Sequence, residues 1–98
     1  MPNKNDLVII ATALAKSGSE DALERALRDV ASPTRAQPGC VSWSLYRAGA
    51  TLVAFERWSS RDAHDRHLQG AHVQELVSKM GSLLAAPPTI VEHTIIDE

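Results

Sequence analysis

Apolar residues alternate with polar ones, or recur at helical spacing, in successive blocks along the chain. Leu7 to Ala15 is rich in Val, Ile and Thr and predicts a strand, which Ser17-Gly18-Ser19 ends. Ala22, Leu23, Ala26, Leu27, Val30 and Ala31 then form a stripe with Glu24, Arg25, Arg28 and Asp29 opposite, the pattern of an amphipathic helix capped by Ser17 or Ser19. Pro33 is expected to kink this helix or restart it from Ser32, and Pro38-Gly39 to close it. Val41, Trp43 and Leu45 alternate with Ser42 and Ser44, so Cys40 to Arg47 predicts a second strand. Ala48-Gly49-Ala50 turns it into a third, Thr51 to Trp58. Ser59 and Ser60 suit the cap of a short helix reaching Leu68, which Gly70 ends. Val73, Leu76, Val77, Met80, Leu83 and Leu84 make a second helical stripe, Pro87-Pro88 stops it, and Thr89 to Asp97 predicts a last strand.

The order is βαββαβ with the second α broken at Gly70, an α+β pattern that predicts a ferredoxin-like four-stranded antiparallel sheet in a single domain, residues 1–98. Both sheet faces read as apolar. In the first strand Leu7, Ile9, Ala11 and Ala13 point one way and Val8, Ile10 and Leu14 the other, and Ile90 and Ile96 oppose Val91 and Ile95 in the last. Helices cover only one face, so the pattern predicts a homodimer with the two sheets packed face to face.

Composition narrows the partners. Ten basic and twelve acidic residues give a net charge of −2 with no basic block, which argues against nucleic acid. Cys40 is the only cysteine, which rules out an intrachain disulfide and fits a reducing, cytoplasmic setting. The N-terminal MPNKNDLVIIATALAKS imitates a secretory signal, but Asp6 interrupts its basic region and the apolar run is short, so neither secretion nor a membrane span is expected. The 44% hydrophobic content includes only 4% aromatic residues, so the core is expected to be mostly aliphatic.

The segments SPTRAQPGCVSWSLYR, FERW followed by SSRDAHDRHL, and HLQGAH occur in an order and spacing that resemble the antibiotic biosynthesis monooxygenase family over nearly the whole chain. The resemblance implies a dimeric α+β barrel. It also implies chemistry like that of the family's quinol monooxygenases, which act without metal or flavin, so no cofactor is expected. His67 and His72 fit the positions of the family's histidine pair. A haem-degrading branch of the superfamily fits less well: Val77 stands where its iron-binding histidine would be, His67 where it has a tryptophan, and its first-strand asparagine has no counterpart among Leu7 to Ala15.

The residues themselves leave several roles open. His64 and His67 are three apart on a helix and His72 lies beyond Gly70, a set that could in principle hold zinc, but with no cysteine nearby and no recognisable supporting shell, no metal is expected. His64 is expected to face water and His93 to make a structural hydrogen bond. His67 and His72 either bridge the helix break or serve as a catalytic base in a pocket. Trp58, where the third strand leaves the sheet, is expected to wall that pocket, and Trp43 to line it or simply fill core. Ser42, Ser44 and Tyr46 are candidate hydrogen-bonding residues for substrate. Glu56 shares the parity of Trp58 and Arg57 opposes it, and an interface salt bridge is the expected fate of both charges. There is no GxGxxG loop and no Ser-His-Asp pattern. If the chain is an enzyme, what the resemblance then implies is oxidation of a small aromatic quinol or polyphenol by dioxygen, the protein supplying desolvation, orientation and a base. A non-catalytic small-molecule-binding or stress-associated dimer and an isomerase or decarboxylase are the alternatives.

Overall fold

The computed structural model describes residues 3–98, so the first two residues of the signal-like stretch lie outside it. The elements follow the order β1 (Leu7–Leu14), α1 (Glu20–Asp29), α2 (Ala31–Arg35), β2 (Cys40–Ala48), β3 (Thr51–Trp58), α3 (Arg61–Leu68), α4 (Ala71–Leu83) and β4 (Thr89–Thr94). The strands form one antiparallel sheet in the order β2-β3-β1-β4, the ferredoxin-like arrangement. Among the described residues no helix is long and apolar enough to cross a membrane.

Local chemistry explains most of the boundaries. Ser60 caps α3, its hydroxyl accepting from the Ala63 N–H at 3.1 Å. Ser19 occupies the N-cap of α1 but its side chain makes no capping bond; Glu20 and Asp21 in the first turn supply negative charge against the helix dipole instead. Pro33 restarts the chain rather than bending it: α1 stops, Val30 intervenes, and Pro33 sits in the first turn of α2, where a missing N–H costs nothing. β4 is shorter than the apolar run suggests. Its ladder is with β1, and that ladder ends at Leu7↔Thr94, so Ile95 and Ile96 have no strand to pair with.

Alternation along β2 is broken by a register shift between Cys40 and Ser42. Without it, Val41 would share a face with Trp43; with it, Cys40 takes the inner position and packs against the two buried clusters that hold Trp58 and Trp43. Gly39, just before the shift, has φ +85°, and a Cβ there would lie 2.4 Å from the Ala63 side chain. Glycine lets the start of β2 run directly against α3.

The helices pack on the face that carries Ile9, Ala13, Trp43, Leu52, Ala54 and Trp58. One end of the core is Ala13, Leu23, Leu27, Leu52 and Leu84; the other is Ile9, Trp58 and Ala63. Val73 is the one buried residue of helix α4, so the helix roofs the sheet loosely between these ends. The other face of the sheet carries Leu14, Tyr46, Phe55 and Val91, which are 45 to 59% exposed, and Tyr46 packs edge-on against Phe55. Arg57 lies on that face too, held by Asp6 at 2.8 Å and by both carboxylate oxygens of Glu98.

Candidate active site

A cavity of about 150 Å³ lies beneath α4, a volume on the scale of a small aromatic molecule. Its walls are almost entirely apolar: Ala11, Leu45, Ala54 and Leu52 from the sheet, Leu27 and Val30 from α1, and Val73, Leu76 and Met80 from α4. Leu68, Val77 and Ile90, all substantially exposed, surround its mouth. The ionisable groups in the wall are Glu56, His64 and His67.

Glu56 is placed by the pleat of β3, where Ala54, Glu56 and Trp58 point to the helix side and are all buried. Its Oε1 accepts the indole N–H of Trp58 at 3.1 Å, a bond that two residues on one face of a strand can readily make. Burial pushes its carboxyl up to about 7, against the opposing pull of the Trp58 and Trp43 indoles. A carboxyl held there exchanges its proton in the neutral range, as a general acid or base must.

His67 lies over Trp58, ring centroids 4.7 Å apart and planes 32° from parallel. Its Nδ1 is 2.6 Å from the Gln37 side-chain oxygen and its Nε2 is 3.9 Å from Glu56 Oε1. Burial, with His64 and His72 nearby, lowers its pKa to about 4, so at neutral pH the ring is uncharged. His64 is buried 5.8 Å from both the Trp58 and His67 rings, and burial lowers its pKa as well.

His67 and Trp43 line the cavity and Trp58 backs it, holding Glu56 and His67 from behind. His72 does not line it; its Nε2 pairs with the hydroxyl of fully buried Thr34 at 3.1 Å, tying the first turn of α4 to α2. Ser42, Ser44 and Tyr46 are on the opposite face of the sheet, paired across the ladder with Arg57, Phe55 and Val53, so they do not converge on this cavity. His64 faces inward rather than to water, because α3 sits in a corner that buries Ala63, His64 and His67 together. The charge pair also resolves differently: Arg57 is neutralised within the chain by Asp6 and Glu98, while Glu56 turns into the cavity. His93 hydrogen-bonds the Val91 carbonyl on the exposed edge strand, and Val77 stands at the cavity mouth.

From the sequence alone Glu56 is assigned to an interface salt bridge and Gln37 is given no role. For Glu56 the signal was present: a carboxylate in phase with Trp58 on a strand whose inner face is covered. Gln37 gives no such sign, since it reaches His67 from thirty residues away.

Comparison with known proteins agrees with the fold. The model of the family described as antibiotic biosynthesis monooxygenase matches residues 6–79. A Mycobacterium tuberculosis protein named "Putative monooxygenase Rv0793" is 34% identical over 94 residues, covering 94% of this chain and 93% of the relative. The solved structure of Rv0793 superposes with a TM-score of 0.91 at 33% identity, covering 96% of this chain and 98% of that one. That of PA3566 from Pseudomonas aeruginosa gives 0.89 at 28% identity, covering 95% and 96%. The match to the family model over most of the chain, and a relative of this identity along nearly its full length, mean that the chain belongs to the antibiotic biosynthesis monooxygenase family.

Proposed function

We propose that the protein is a cofactor-independent monooxygenase that oxidises a small aromatic quinol or polyphenol with dioxygen. The observation that carries this reading is a near-neutral carboxyl, Glu56, in the wall of a small, largely apolar chamber beside an uncharged His67. Such a chamber desolvates an aromatic substrate, and Glu56 as carboxylate takes its hydroxyl proton, with His67 Nε2 within a small movement to share it. The resulting quinolate is electron-rich enough to reduce dioxygen by one electron. The semiquinone and superoxide so formed combine into a C–O bond, and loss of water leaves a hydroxyquinone, so one oxygen atom enters the product and the other leaves as water. The substrate supplies all the electrons. A cytoplasmic setting fits a chain whose single thiol, Cys40, is free.

Menadiol in ¹⁸O-labelled dioxygen tests this, with an enzyme-free control to subtract autoxidation. The expected result is enzyme-dependent oxygen uptake with one labelled atom in the quinone product. A ligand that raises the melting temperature without any uptake would instead favour a binding module, and turnover without oxygen an isomerase or decarboxylase.

The proposal includes a second copy of the chain over the open sheet face, supported by the half-exposed Leu14, Tyr46, Phe55 and Val91 there. Sedimentation at micromolar concentration is expected to give the dimer mass, and Phe55→Asp to shift it toward the monomer. A stably folded monomer of the unaltered chain would remove this part of the proposal.

A further inference from the structure

Helix α2 and the turn that follows it do more than join α1 to β2: they present Thr34 to His72 and Gln37 to His67. Gln37 is itself fixed, its N–H donating to the Thr34 carbonyl at 3.0 Å and its carbonyl accepting from Cys40 N–H at 3.1 Å. Its side-chain oxygen therefore meets His67 Nδ1 at 2.6 Å from a braced backbone. An uncharged imidazole carries one N–H, and two lone pairs facing each other at that distance repel, so the proton belongs on Nδ1. Nε2 is left with a lone pair on the side of Glu56, whose Oε1 already accepts from Trp58.

We infer that Gln37 is a positioning residue that locks His67 in the Nδ1–H tautomer and thereby leaves the Nε2 lone pair as a hydrogen-bond acceptor facing Glu56. Gln37 touches neither the cavity nor the substrate; it acts through His67. The inference rests on the proposed chemistry for its catalytic consequence but not for the tautomer. The titratable groups facing this pair are His64 on the same helix, His72 from α4 and Cys40 from β2, beside Glu56 itself.

Two measurements on the full chain test it. Long-range ¹H–¹⁵N spectra of the unaltered protein are expected to show His67 protonated at Nδ1 and bare at Nε2 around neutral pH; a ring protonated at Nε2 overturns the inference without any variant being needed. Gln37→Leu removes the acceptor and is expected to mix the tautomers and lower kcat for menadiol about 10-fold or more with KM nearly unchanged. Gln37→Glu restores an acceptor, so it is expected to recover the Nδ1–H tautomer and much of kcat, while its negative charge moves the acid limb of the pH profile upward. Gln37→Leu with the native tautomer and native kcat overturns the inference. If the tautomer shifts as expected but no quinol is turned over by any form, the proposed function fails and the positioning role stands.

Discussion

Glu56→Gln is expected to lower menadiol turnover by about 10²- to 10⁴-fold, the range that removal of a general acid or base usually costs. The variant preserves shape and still offers an oxygen to the Trp58 N–H, so what it deletes is the titratable proton. Activity in the unaltered protein is expected to rise as pH passes through about 7, where the buried carboxyl ionises, and the variant is expected to lose this limb. Stability should move the other way. Glu56 titrates at about 7 when folded against an ordinary 4.5, so its protonated form favours the fold below pH 4.5 and this advantage, on the order of 3 kcal/mol, is lost as pH climbs through 7. His67 has the opposite sign: from an ordinary 6.5 it falls to about 4, so lowering the pH from 6.5 toward 4 protonates only the unfolded chain and destabilises the fold. Between roughly 4.5 and 6.5 the two slopes oppose each other, so these groups together leave stability nearly level there and declining above. Glu56→Gln keeps only the His67 slope, so its melting temperature is expected to rise with pH up to about 6.5 and then hold, exceeding that of the unaltered protein at pH 8. A variant with native turnover, or with a pH–stability curve parallel to the original, sinks the assignment.

How far this site can be read from sequence depends on whether its parts are local. The period of the apolar positions gives the sheet, the helices and their order, because strand and helix repeats are properties of consecutive residues. Trp58 and His67 are legible for a related reason: one ends a strand, the other lies on the helix that follows, and a corner of this kind brings them together. Ser42 and Ser44 show the cost of asking one strand for both its faces. Their alternation with Trp43 already separates them from any cavity that Trp43 lines. The bulge at Val41 is harder, since it arises where Gly39 meets Ala63 across the structure, and no run of neighbouring residues encodes it. The partner of His72, Thr34, comes from a short helix whose docking depends on the whole α1–β2 connection. The shifted acidity of Glu56 is a product of burial and of two indoles, quantities that exist only after folding.

Trp58 is the residue through which stability and chemistry are joined, and its two replacements separate them. Trp58→Ala opens a void at a fully buried position, with an expected loss of about 3–5 kcal/mol. In a domain of this size that corresponds to a fall in melting temperature on the order of 15 °C or more by differential scanning calorimetry. Trp58→Phe keeps a ring over His67 and deletes only the indole N–H, so its stability cost is expected to be smaller and dependent on pH. Where Glu56 is protonated the missing donor matters little; where it is ionised, a buried carboxylate has lost a hydrogen bond worth roughly 1–3 kcal/mol. The melting difference between Trp58→Phe and the unaltered protein should therefore widen from pH 5 to pH 8. The N–H is also one of the forces holding the Glu56 pKa down, so without it the activity limb near 7 is expected to move to higher pH, with turnover at neutral pH falling accordingly. If Trp58→Phe leaves that limb where it is, the indole does not set the acidity of Glu56, and Trp58 is a packing residue whose contact with the carboxyl has no bearing on catalysis.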